Sequence, residues 1–220
     1  MKKAILGLVL AVAASLATPL LLDGRPILQG SIECFLEAVP DLKVITVLPR
    51  ASFQTWKDLC AAYSFNCPQM LVAGGITRFH SVQNALKKVP DGAVVCIHDG
   101  VRPLVTPGLV SRMLERMERE DCRALVPVLP VTDTLRARDP DQPDPDRAAV
   151  VAVQTPQMFR SEDIKAAYAQ AYDLAFTDDA SVAARIGIPP AFEEGERFNL
   201  KITTPEDLVL AEAILSIRKG

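Results

Sequence analysis

The stretch that decides the fold is AVVCIHDGVRPLV, residues 93–105. It begins with an apolar run, Val94, Val95, Cys96 and Ile97, and then changes abruptly to His98, Asp99, Gly100, Arg102 and Pro103. A short apolar run closed by a turn signal is the pattern of a strand buried on both faces. Such strands belong to parallel sheets covered by helices. In open parallel sheets, ligands bind beyond the carboxyl ends of the strands. A buried strand ending in His, Asp and Arg therefore predicts both an architecture and the edge where its chemistry lies.

The flanking sequence alternates in the same way. KVITVLP, 43–49, reads as a strand, and Phe53, Trp56, Leu59, Cys60 and Tyr63 recur at helical spacing. Residues 69–72 form a short strand pattern that runs into Gly74-Gly75, and Val82, Ala85, Leu86 and Val89 form a helical stripe. Leu109, Val110, Met113, Leu114 and Met117 mark another helix, followed by a strand over 123–128. Helical spacing returns after Phe159 with Ile164, Ala167, Tyr168 and Ala171. Residues 199–202 read as a short strand, and Thr204-Pro205-Glu206-Asp207 opens the last helix with a capping residue, a first-turn proline and first-turn acids. Repeated strand–helix units predict an α/β domain with a mostly parallel sheet covered by helices. DPDQPDPDR, 139–147, breaks the rhythm with three prolines, four aspartates and an arginine. It cannot be helix interior or central strand. Its flanks, 129–137 and 148–153, predict an extended hairpin with this segment at its tip.

The 220 residues suit one domain, and the 49% apolar content suffices for a substantial core. The net charge is −3 with no basic stripe, which argues against sequence-independent nucleic-acid binding. Five scattered cysteines, Cys34, Cys60, Cys67, Cys96 and Cys122, lack metal-ligand spacing and read as buried small hydrophobes in a reducing compartment. The N-terminal MKKAILGLVLAVAASLATP has the layout of a signal peptide. Its run is too short for an ordinary membrane span. A buried first strand over 4–12 fits the unpaired cysteines better and predicts a cytoplasmic protein without membrane contact.

Asp99 at a strand end can hold a divalent cation that also bridges phosphates, and Arg102 can bind a phosphate or pair with a carboxylate. The same two residues also suit a purely structural ion pair. His98 reads as an oriented or buried histidine rather than a ligand. Gly74-Gly75 with Arg78 and Ser81 suits an anion or a nucleobase edge, or an ordinary turn. Thr177, Asp178 and Asp179 precede a helix and are explained by capping. Lys201 in an apolar segment needs a partner or a ligand. Cations and hydroxyls converging on one edge fit phosphoryl or nucleotidyl transfer. Neither a G-x-S-x-G elbow nor a Cys–His pairing is present for acyl transfer.

GGITRFHSVQNAL, VVCIHDGVRPLV, PVTDTL, AVQTPQMF, TDDASV and NLKITTPEDLVLAE follow one another in this order. Together they resemble the 2-C-methyl-D-erythritol 4-phosphate cytidylyltransferases of non-mevalonate isoprenoid biosynthesis, over about residues 20–218. Ribitol-5-phosphate cytidylyltransferases are the nearest confusable relatives. The resemblance implies a Rossmann-like nucleotidyltransferase fold with a projecting β-arm, here 129–152, and a homodimer formed through that arm. It implies transfer of CMP from CTP to a sugar-alcohol phosphate, with Mg²⁺ as cofactor. Residue by residue, Asp99 corresponds to the metal-binding aspartate and Arg102 to the arginine that orders it. Gly75, Arg78 and Ser81 correspond to nucleotide-binding positions. Thr134, Arg147, Thr155 and Thr177 correspond to substrate-binding positions. Lys201 corresponds to the lysine at the reacting phosphates; Lys201, Arg147 and Asp99 form the expected catalytic set.

One block departs from the family pattern. The family carries a glycine-rich loop with an Arg and a Pro-Lys pair after the first strand. Here the corresponding stretch has no glycine between Gly7 and Gly24, and no Arg or Lys between Lys3 and Arg25. A deleted or altered loop, a catalytically impaired nucleotide-binding homologue and an exported, repurposed domain are the three readings this leaves open.

Overall fold

The computed structural model describes residues 6–11, 20–119 and 122–219. The strands are β1 (Leu6–Ala11), β2 (Leu21–Leu22), β3 (Arg25–Pro26), β4 (Lys43–Leu48), β5 (Gln69–Ala73), β6 (Val94–Asp99), β7 (Ala124–Pro130), β8 (Val151–Val153), β9 (Gln157–Arg160) and β10 (Ala191–Glu194). The helices are α1 (Ile27–Ala38), α2 (Phe53–Ala62), α3 (Arg78–Leu86), α4 (Pro107–Arg119), α5 (Ser161–Ala167), α6 (Asp179–Ala184) and α7 (Pro205–Lys219).

The main sheet runs β10-β7-β9-β6-β1-β4-β5, and β8 pairs with the end of β7. β1 lies parallel between β4 and β6, with Val9 opposite both Ile45 and Ile97. β9 is antiparallel to β6 and β7, so the sheet is mixed but mostly parallel. Strand periodicity sends alternate side chains to opposite faces. Val44, Val94 and Cys96 pack with Ile32 and Phe35 of α1, Trp56 of α2 and Met113 of α4. Ile45, Val95 and Ile97 pack with Phe79 and Val82 of α3, Ile164 of α5 and Val182 of α6. β6 is buried at all six positions, as its uninterrupted apolar run predicts. α7 closes a third cluster over Leu22, Ile27, Leu104 and Ile202. It begins where expected: Asp207 accepts the backbone N–H groups of Thr203 and Thr204 at 2.8 Å each.

Several expectations are corrected. The hairpin over the arm is short. Its ladder is Val128–Val153, Leu129–Ala152 and Pro130–Val151, and strand pairing stops there. Pro130, Pro140, Pro143 and Pro145 cannot donate to a ladder. The tip is tied instead by the Arg136–Asp144 ion pair and by Arg147 donating to the Thr132 carbonyl at 2.9 Å. Residues 199–202 form no strand; the segment passes the loop after β6, where Ile202 N–H donates to the Val101 carbonyl at 2.9 Å. α5 stops at Ala167, short of Ala171. β10, an amphipathic edge strand beside β7, was not foreseen. β1 falls inside the expected 4–12, while residues 1–5 and 12–19, which include the altered loop, lie outside the described residues. All five cysteines are free, but only Cys96 and Cys122 are fully buried; the other three are half-buried. Burial pushes the Cys34 thiol up to about 11.

Candidate active site

Asp99 is the last residue of β6, and three cations converge on its nearly buried carboxylate. Arg78 Nε, from the first residue of α3, lies 3.5 Å from Oδ1. Lys201 Nζ, from the loop before α7, lies 3.0 Å from Oδ2, and Arg102 Nε lies 3.6 Å from the same oxygen. Burial disfavours the charged carboxylate, but Arg78 and Lys201 outweigh it and hold Asp99 below the usual range. For Arg102 the balance reverses, and burial lowers its pKa despite Asp99.

A hydrogen-bond chain fixes this strand end from behind. His98 is fully buried, with Nε2 3.1 Å from the Arg102 carbonyl and Nδ1 3.0 Å from Thr155 Oγ1. A carbonyl only accepts, so the network assigns the ring proton to Nε2. Nδ1 then accepts the Thr155 hydroxyl, whose oxygen in turn accepts Asp99 N–H at 3.1 Å. Burial lowers the His98 pKa to about 4 and keeps the ring neutral. Thr155, expected to border the substrate, thus commits its hydroxyl to the strand end. Asn199 extends the network: its Nδ2 donates to the Thr155 carbonyl at 2.8 Å, and its own carbonyl accepts Arg102 Nη1 at 2.8 Å.

The loop after β5 supplies the second wall. Gly74 N–H donates to the Leu48 carbonyl at 2.9 Å, and Gly75 N–H to Ser81 Oγ at 3.0 Å. A Cβ on Gly75 would fall 2.9 Å from the His80 carbonyl carbon, so glycine is required by close approach. Gly75, Arg78, Ser81, Asp99 and Lys201 line one cavity of about 630 Å³. A second recess of about 300 Å³ shares Arg78, Asp99 and Lys201 and adds Arg102, Thr155 and Thr177. The two cavities meet at the charged cluster. Thr134 and Arg147 line neither; both are exposed on the arm.

One participant was missed. Asp178 caps α6 as expected, through a capping box with Ser181. Asp179 does not cap. It is fully buried and binds Arg78 bidentately at 2.8 and 2.6 Å. No local pattern signals a pair 101 residues apart. Among the described residues no cluster of three or more His, Cys, Asp or Glu side chains could hold a metal. A divalent ion here would rest on Asp99 and on oxygens of the bound ligand, an arrangement that suits Mg²⁺. The site offers three cations around the Asp99 carboxylate and a glycine turn, which is equipment for placing phosphates rather than for covalent catalysis.

Comparison with known proteins points to one family. The family model of 2-C-methyl-D-erythritol 4-phosphate cytidylyltransferase (IspD) matches residues 18–217. The protein of that name from Bacteroides thetaiotaomicron is 42% identical over 193 residues, 87% of each chain. That from Porphyromonas gingivalis is 42% identical over 199 residues, 90% of this chain and 88% of its own. The crystal structure of the Thermus thermophilus 2-C-methyl-D-erythritol 4-phosphate cytidylyltransferase superposes with a TM-score of 0.75 at 33% identity, covering 97% of this chain and 99% of that one. The 4-diphosphocytidyl-2C-methyl-D-erythritol synthase of Anaerococcus prevotii gives 0.82 at 25% identity, covering 97% and 96%.

Proposed function

The chain belongs to the 2-C-methyl-D-erythritol 4-phosphate cytidylyltransferase family, and from that membership we propose the part each side chain plays in its reaction. The protein transfers CMP from CTP to 2-C-methyl-D-erythritol 4-phosphate, giving 4-diphosphocytidyl-2-C-methyl-D-erythritol and pyrophosphate. A ribitol-5-phosphate activity is not favoured, since the relatives carry the erythritol name.

A phosphate oxygen of the sugar alcohol attacks the α-phosphorus of CTP, and the bond to the departing pyrophosphate breaks with its electron pair. Positioning and charge neutralisation carry such a step. In this reading the larger cavity takes the nucleotide. The Gly75 turn and Ser81 border the base and ribose, and Arg78 faces the phosphates. The smaller recess, with Thr177, takes the sugar phosphate. Arg102, braced by the Asn199 carbonyl, orders the turn that carries Asp99. Lys201 belongs to both cavities and is placed to offset charge as the new bond forms. The observation that carries this assignment is the meeting of the two cavities at Arg78, Asp99 and Lys201. Asp99 would hold Mg²⁺, which when bound shields charge on the phosphate oxygens.

Thr134 and Arg147 line neither cavity of their own chain, which supports a homodimer whose arm completes the partner's site. Val151 leaves apolar surface on the arm, as an interface there requires. The free cysteines favour a reducing, cytoplasmic setting. No described helix is long and apolar enough to cross a membrane.

The test is pyrophosphate release from CTP and Mg²⁺ with 2-C-methyl-D-erythritol 4-phosphate and ribitol 5-phosphate in parallel. Turnover with the first alone is expected; preference for ribitol phosphate would overturn the substrate assignment. Arg147→Ala is expected to raise KM for the sugar phosphate about 10–100-fold, the loss of one charged hydrogen bond, and to leave KM for CTP unchanged. Equal loss of both would remove the arm from the sugar-phosphate site. At sugar phosphate well below the KM of Arg147→Ala, mixing Arg147→Ala and Asp99→Asn chains should give more activity than either variant alone if the arm serves the partner.

A further inference from the structure

Asp179 is a charged side chain with no exposed surface, and neither helix capping nor the roles proposed above account for it. It accepts Arg78 Nη1 and Nη2 at 2.8 and 2.6 Å and the Tyr168 hydroxyl at 2.5 Å. Its surroundings are built to keep it. Gln157 bridges the start of α6, donating to Asp178 at 2.8 Å and accepting Ala180 N–H at 2.9 Å. Tyr168 itself is locked by stacking on Phe79 at 4.6 Å. Buried ion pairs seldom justify their desolvation by stability alone, because well-packed apolar residues often do as well.

The geometry shows what the pair does. A guanidinium presents a flat fork of five donors. Asp179 takes one N–H of each terminal nitrogen and so anchors the fork end-on, with Nε standing 3.5 Å from Asp99 Oδ1. Without Asp179, the fork could turn and take both Asp99 oxygens in the bidentate geometry arginine favours with carboxylates. We propose that Asp179 is a positioning residue: it holds Arg78 in the orientation that leaves the Asp99 carboxylate open to a divalent cation. The proposal rests on the reading of Asp99 as the metal-holding residue. Burial of Asp179 matters to it, since in that setting its charge is weakly screened and Arg78 stays fully committed.

The test is Mn²⁺ binding to the CTP-saturated protein, read by the relaxation enhancement that protein-bound Mn²⁺ gives to water protons. Turnover is followed alongside as a function of Mg²⁺. Asp179→Asn should weaken Mn²⁺ binding about tenfold, the lower end of what a neighbouring charge does to a carboxylate, and raise the Mg²⁺ needed for half-maximal turnover by the same factor. The double variant Arg78→Gln/Asp179→Asn, with CTP raised until its own site is saturated, should bind Mn²⁺ within about threefold of the wild type, because the fork that would close over Asp99 is gone. That variant strands no buried charge, so it decides the question even if Asp179→Asn fails to fold. Wild-type Mn²⁺ affinity in Asp179→Asn, or tenfold weaker binding in the double variant, would overturn the proposal. A wild-type protein that binds Mn²⁺ with CTP yet releases no pyrophosphate would overturn the functional assignment instead, and leave the binding data to judge Asp179.

Discussion

Asp99→Asn is expected to lower turnover by about 10²–10³-fold, the usual cost of losing one strong transition-state contact, in a protein that still folds. The substitution keeps shape and removes charge. Arg78 keeps Asp179, and Arg102 keeps the Asn199 carbonyl, so the cations do not lose every partner. The stability cost should therefore stay near 1–3 kcal/mol, or several degrees in Tm for a chain of this size. Steady-state rates across a Mg²⁺ titration, beside thermal unfolding, separate the two effects. An unchanged rate, or an unchanged response to Mg²⁺, would remove Asp99 from the metal site. Collapse of the fold with a normal rate in the remaining folded fraction would make it a structural residue.

Lys201→Ala should lower kcat on a similar scale, about 10²–10³-fold, while KM for CTP moves little. The ammonium is one of few cations available to the reacting phosphates, because no Arg or Lys occurs between Lys3 and Arg25. Its side chain is 47% exposed, and its ion pair with Asp99 is only one of three there. Removing a half-exposed pair costs about 1 kcal/mol or less. The variant should thus be nearly as stable as the parent and far slower. A large loss of stability with kcat retained would mean that Lys201 serves the loop before α7 rather than the reaction. Full activity in both respects would remove it from the site altogether.

The two variants divide the cluster along a physical line. Asp99 is nearly buried and carries charge that its neighbours must balance, so its loss is felt in binding, rate and folding together. Lys201 is half in solvent, so its loss is felt where water is excluded, when both substrates are bound. The His98–Thr155 chain lies behind both. It sets the backbone that presents Asp99, which explains why two residues with reactive-looking side chains face inward.

Much of this was legible along the chain. Periods of two and of 3.6 in apolar residues are local, and they placed β4, β5, β6, α2, α3, α4 and the start of α7 correctly. The abrupt change from Ile97 to His98 and Asp99 marked the strand end that bears the site. Where local pattern failed, the cause was pairing between distant segments. Residues 199–202 look like a strand, yet a strand needs an open edge, and this segment finds none: its Ile202 N–H donates to the Val101 carbonyl in the loop after β6. Residues 191–194 look unremarkable, yet β7 offers them an edge. The flanks of the arm suggest a longer hairpin, but its ladder ends after three pairs, at Pro130.

The sequence by itself determined the layered architecture, the strand end that carries Asp99, and the family blocks around it, because burial patterns and glycine turns are written in consecutive residues. Only the tertiary structure decided which charges meet. Asp178 and Asp179 are neighbours with the same side chain, but the turn into α6 sends one to the helix cap and the other into the core against Arg78. Partner choice of that kind depends on the direction a side chain takes from a packed backbone, and that direction is set by elements far away in the chain.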